Sequence, residues 1–167
     1  MKIITPAQTR QLDRYTIENE PISSIDLMER AALTFVEWFV TTFPVADDLH
    51  VRIICGTGNN GGDGLAIARL LYQRFYHVEL LLCKIGDNVA EDFSVNLNRL
   101  PRRNAIPQTT IREGDDFPDV PGGILIDAIF GSGLSRPVTG YWSDLFKHIN
   151  QQPALVVSID LPSGLFA

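Results

Sequence analysis

The segment Gly56 to Gly64, GTGNNGGDG, sets five glycines among nine residues. It satisfies G-x-G-x-x-G between a strand-like and a helix-like stretch, the context in which that otherwise weak pattern signals a nucleotide phosphate site. Glycines here would allow positive φ and let backbone amides approach a phosphate. A helix expected from about Asp63 would add its positive N-terminal dipole. A bare strand-to-helix turn is the plain alternative, but this many glycines cost more chain entropy than a turn requires. Cys83-Lys84 stand where a dehydrogenase sets its ribose-binding acid, and no Lys-Ser or Lys-Thr follows the glycines as in a Walker loop. Hydride transfer is disfavoured.

Two further segments carry chemistry: Asp127 running into GSGLSRPVTG (131–140), and Asp160-Leu-Pro-Ser163-Gly. Asp127 and Asp160 are expected to end apolar strands, where a carboxylate needs a reason, whereas Asp63 has capping of its helix as an alternative role. Two carboxylates about 4 Å apart repel by about 4 kcal/mol at an effective dielectric of about 20. Protonating one member or binding a cation relieves this. Residues 56–64 include no base and 131–140 only Arg136. A hard cation held by oxygens of Asn60, Asp127 and Ser163 is therefore expected, since no His or Cys ligand set lies near. His50 and His77 precede strands, His148 lies on a helix, and Trp38 and Trp142 suit packing. Ser132 and Ser163 lie at the site, but no Ser-His-Asp arrangement accompanies them.

The elements that must position these residues follow from periodicity. Helices are expected over 6–19 and from Ser23-Ser24 to Pro44, the second capped by Ser23-x-x-Asp26 and burying Ile25, Met28, Ala32, Phe35 and Phe39. Strands are expected at 50–55, 77–83, 106–110 (the weakest), 122–130 and 154–160. Helices at 63–76, 90–100 and 141–150 alternate with them, the first turning Leu65, Ala68, Leu71 and Phe75 inward. Alternation with nearly continuous apolar strands predicts a parallel sheet covered on both faces. Right-handed crossovers would bring 56–64, 127–137 and 160–164 to one sheet edge, where ligands of open α/β sheets bind.

Length and composition agree. The chain has 167 residues, 45% hydrophobic, enough for one core but not two. A net charge of -6, with Arg102-Arg103 the densest basic spot, disfavours nucleic-acid binding. No run approaches a membrane span or signal peptide. Cys55 and Cys83 read as buried free thiols, so a soluble cytoplasmic protein is expected. The chain stops inside a Pro-Ser-Gly turn; at least one further strand is expected beyond it.

GTGNNGGDG (56–64), DAIFGSGLSRPVTG (127–140), SIDLPSGL (158–165) and SIDLMERAA (24–32) together resemble the YjeF N-terminal domain, the NAD(P)H-hydrate epimerase family. The resemblance spans the whole chain as a single domain, 1–167, cut short at its C-terminus. It implies a Rossmann-like three-layer α/β/α sandwich with a mostly parallel sheet and two N-terminal helices. It also implies an isomerase that interconverts the R and S epimers of NADHX or NADPHX, cofactors hydrated at nicotinamide C6. A partner dehydratase, sometimes fused, then restores NAD(P)H. By that resemblance Asn59, Asn60, Gly61, Gly62 and Asp63 contact substrate. So do Gly131, Ser132, Gly133, Leu134, Ser135, Arg136, Pro137 and Asp160. Asn60, Asp127 and Ser163 hold one potassium ion, and the protein is a homodimer; the apolar helix 24–43 is explained equally well as part of that interface or by core packing. Asp160 is the candidate general acid. A non-catalytic YjeF-like binding or dimerisation scaffold, or a generic nucleotide-binding oxidoreductase, are the competing readings.

Overall fold

The computed structural model describes residues 4–101 and 105–166. Arg102-Arg103 and Asn104, the first three residues and Ala167 lie outside the described residues. Helix α1 (Pro6–Asn19) opens with a reciprocal Thr5–Gln8 capping box and Pro6 in its first turn, and buries no residue. Helix α2 (Ser24–Thr42) starts at the expected Ser23 cap. Its buried stripe is Met28, Ala32, Val36 and Phe39. Ile25 and Phe35 are only half-buried. No described helix is long and apolar enough to cross a membrane.

Strands β1 (His50–Cys55), β2 (His77–Lys84), β3 (Gln108–Arg112), β4 (Ile124–Ala128) and β5 (Leu155–Ser158) form one sheet in the order β3-β2-β1-β4-β5. Every pairing is parallel. Alternation splits the strand side chains between two cores. Val51, Ile53, Val78, Leu80, Ile124 and Ile126 face α2, α3 (Asn59–Tyr72) and α4 (Glu91–Arg99). Ile54, Leu81, Ile111 and Leu125 face α5 (Tyr141–Gln151) through Leu145 and Ile149. The result is the expected three-layer α/β/α, Rossmann-like sandwich. Its strand order reverses between β1 and β4, the crevice where such sheets bind ligands.

Several boundaries differ from expectation, and β3, expected at 106–110, runs Gln108–Arg112. Helix α3 begins at Asn59 rather than Asp63, so the glycine segment is largely its first turn. It ends at Tyr72, and Phe75, expected inside, is 85% exposed with φ of 66°. Strand β4 is shorter than 122–130 because Gly122 and Gly123 take positive φ, outside the strand region. Strand β5 stops at Ser158, so Asp160 lies in the following turn instead of ending the strand. Cys55 and Cys83 are free and buried, as expected. His50 and His77 pair across β1 and β2 at the sheet edge away from the glycine segment, and His148 contacts the Pro118 carbonyl and Gln152.

Candidate active site

A cavity of about 750 Å³ opens between segments that follow β1, β4 and β5, a size usual for small-molecule sites. Gly58, Asn59, Asn60 and Asp63 form one wall, Gly131 to Arg136 another, and Asp160 the third. The expected convergence of three segments is therefore present. Pro137 does not line the cavity, and neither do Gly61 and Gly62, which are buried behind its wall.

The glycines have a different use from the one expected. Not one glycine of 56–64 has positive φ. What they supply is room. A Cβ on Gly61 would stand 1.8 Å from the Gly56 carbonyl oxygen, and one on Gly56 would stand 2.4 Å from the Ile129 carbonyl oxygen. The absence of side chains lets the first turn of α3 press against the ends of β1 and β4. The Gly56 amide donates to the Ala128 carbonyl at 3.1 Å, and the Ala90 amide to the Thr57 carbonyl at 2.9 Å. Buried Asn96 donates to the Gly62 carbonyl at 3.1 Å, fixing the turn from α4. Gly58 caps α3 with no side-chain hydrogen bond. The free amides and positive dipole of the α3 N-terminus thus face the cavity, an anion-binding arrangement.

The three acids do not form one cluster. No group of three His, Cys, Asp or Glu side chains close enough to share a metal occurs among the described residues. Instead they divide into a pair and a hub. Asp63 is half-buried in the second turn of α3, beyond the capping position. Burial first, then the charges of Asp160, Asp92 and Asp13, push its carboxyl up to about 7. It can therefore hold a proton near neutrality. Asp160 is exposed, and its Oδ2 accepts the Ser132 amide at 2.7 Å. A Cβ on Gly131 would stand 2.6 Å from that same oxygen, so a larger residue there would make the Asp160 carboxyl move.

Asp127 is the hub, 8% exposed. Its Oδ1 accepts the Ile129 amide at 3.2 Å and the Ser163 hydroxyl at 2.6 Å. Its Oδ2 accepts the Ser163 amide at 2.7 Å and the Ser158 hydroxyl at 3.3 Å. No described base pairs with it, so its charge is stabilised by neutral donors alone. The Asn60 side-chain nitrogen is buried without a partner. A half-turn of that amide puts its oxygen in the same place, where a cation would satisfy it. One carboxylate with neutral oxygens from Ser163 and Asn60 is donor chemistry that fits a hard cation of low charge. The buried Cys83 thiol, raised to about 12 by burial and then by Asp127, stays protonated and unreactive.

The raised Asp63 carboxyl has a consequence for stability. Unfolded, Asp63 loses its proton near pH 4; folded, it does so near 7. Between these values the native state binds more protons than the unfolded state, so stability falls as pH rises and levels off above about 7. Asp63→Asn keeps the shape without the charge. Urea melts across this range are expected to show a flatter pH slope for Asp63→Asn than for the parent chain; parallel slopes would refute the buried-acid assignment.

The family model described as YjeF-related protein N-terminus matches residues 24–167. The chain belongs to that family. Proteins named NAD(P)H-hydrate epimerase resemble it over nearly its whole length. That of Weissella koreensis is 36% identical over 98% of this chain and 71% of its own. That of Lentilactobacillus buchneri is 40% identical over 97% of this chain and 73% of its own. That of Rhodobacter capsulatus is 36% identical over 98% of this chain and 77% of its own. The crystal structure of a yeast protein superposes with a TM-score of 0.75 at 24% identity, covering 98% of this chain and 72% of that one, which shows the shared fold. Helix α1 precedes the part of this YjeF-related chain that the family model matches. It still walls the cavity through Pro6, Thr9, Arg10 and Asp13, while α2 adds Ala31, Ala32 and Phe35. Sequence reasoning missed these residues because α1 was read only as an addition to the sheet. The signal was the spacing of 6, 9, 10 and 13, one face of a helix.

Proposed function

We propose that this chain is an isomerase, a NAD(P)H-hydrate epimerase that interconverts the R and S forms of hydrated NADH or NADPH at nicotinamide C6. The observation that carries the reading is the Asp63–Asp160 pair, set in one cavity beside the uncapped α3 N-terminus and the loop 131–136. The α3 amides bind the pyrophosphate. The carboxyls serve the carbon being inverted.

C6 of the hydrate is a carbinolamine carbon, so the ring nitrogen can push out the hydroxyl group and leave a planar iminium centre. Protonated Asp63, whose raised carboxyl suits it to the general-acid role the sequence suggested for Asp160, delivers its proton to the departing hydroxyl, which leaves as water. The Asp160 carboxylate takes a proton from water adding to the other face. One proton is given and one is taken back, and proton exchange with solvent in the cavity restores the starting state. Asn60, Asp127 and Ser163 would hold a potassium ion, which would offset the buried charge and tie the α3 turn to the turn after β5.

The decisive assay supplies a mixture of NADHX epimers with an S-specific dehydratase. Faster consumption of the R form supports the epimerase. Binding without consumption would identify a nucleotide-binding scaffold instead. Thermal melts in potassium against sodium test the ion: potassium should raise Tm, by about 2.7 kcal/mol of stabilisation at a hundredfold excess over Kd. Asp127→Asn should abolish the difference, and equal melts in both salts would remove potassium from the proposal. The consuming reaction is the dehydratase step. We further propose a homodimer, testable by sedimentation.

A further inference from the structure

We propose that Arg10 of α1 is a substrate-binding residue that holds a phosphate of the dinucleotide; this rests on the epimerase reading above. Arg10 and Arg136 are the two cationic side chains among the cavity-lining residues, against three acids, Asp13, Asp63 and Asp160. A substrate carrying a pyrophosphate must be held in a cavity whose acids offset its two cations, so each cation weighs heavily in its placement. Neither arginine has a salt-bridge partner among the described residues. Both are exposed at the cavity wall, free to turn toward an anion.

Helix α1 supports the assignment independently. It buries no residue, so little core packing fixes its position. The face it presents through Pro6, Thr9, Arg10 and Asp13 is turned to the cavity. A helix that contributes so little to the core has its surface invested in the cavity contents. The guanidinium supplies several donors in a plane, a geometry that matches phosphate oxygens.

The test measures ADP-ribose affinity calorimetrically for the parent chain, Arg10→Ala, Arg10→Lys and Arg14→Ala. Arg14 lies on the same helix, is exposed and does not line the cavity, so its loss changes net charge equally. Arg10→Ala is expected to weaken binding about tenfold, Arg10→Lys to recover part of it, and Arg14→Ala to stay within about twofold. In the epimerase assay Arg10→Ala should raise KM and leave kcat nearly unchanged. Equal effects of Arg10→Ala and Arg14→Ala, or none from Arg10→Ala, overturn the proposal while leaving the epimerase reading to its own assay. A parent chain that neither binds ADP-ribose nor consumes the R epimer overturns both.

Discussion

Epimerisation by the Asp160→Asn chain is expected to fall about 10²–10⁴-fold, the usual contribution of a positioned acid or base. The substitution is close to silent in shape, because an asparagine oxygen can still accept the Ser132 amide that Asp160 accepts at 2.7 Å. The loss should therefore appear in kcat more than in KM. A second signature accompanies it. Asp160 is one of the charges that raise the Asp63 carboxyl to about 7, so removing it lets Asp63 ionise at lower pH. Activity that depends on protonated Asp63 falls as pH rises through that value. In Asp160→Asn this limb of the pH–rate profile should move to lower pH. Asp63→Asn should lose the limb altogether, and the double variant should be little slower than either single one, as expected for residues acting as a unit. Full activity of Asp160→Asn would remove it from the reaction.

Gly61→Ala should have the largest effect on stability. The added Cβ falls 1.8 Å from the Gly56 carbonyl oxygen, and both partners are backbone, so no rotamer change relieves the overlap. Overpacking of this kind costs about 3 kcal/mol or more. For a chain of 167 residues that lowers Tm by about 6–12 °C at roughly 2–4 °C per kcal/mol. Gly58→Ala is the control. It has open space around its Cα and an extended backbone, and should cost about 1 kcal/mol or less, the loss of a modest cap. Differential scanning calorimetry of the two variants decides the matter; equal melting points would mean that the loop glycines serve conformation rather than close approach.

The contrast between Gly58 and Gly61 also marks where sequence stops being informative. Residues 56–64 announced a ligand loop through glycine density alone. Their spacing could not say which glycine bears a contact and which only faces space, because that depends on Gly56 and Ile129 carbonyls brought in by β1 and β4. The start of α3 was hidden for the same reason. Asn59, Asn60, Gly61 and Gly62 are poor helix formers, and packing against the sheet overrides that preference. Phe75 misled in the opposite direction: a hydrophobic residue at helical spacing was expected inside, but the chain turns at positive φ before it can be buried.

For the acids, the sequence placed Asp63, Asp127 and Asp160 at one edge, and strand alternation with loop position was sufficient for that. It could not separate them. Only the tertiary structure sends Asp127 into bonds with Ser158 and Ser163, and leaves Asp63 in the cavity wall with a carboxyl raised by burial and by the charges of Asp160, Asp92 and Asp13. For α1, the spacing of 6, 9, 10 and 13 marks one helix face, but only the tertiary structure sets that face against the cavity. By itself the sequence determined the parallel α/β architecture, the sheet edge at which the cavity opens and the residue types available there, because apolar periodicity and glycine-rich turns are local properties. Which acid keeps its proton and which glycine is irreplaceable were decided only in three dimensions, because burial, charge proximity and steric overlap arise between segments far apart in the chain.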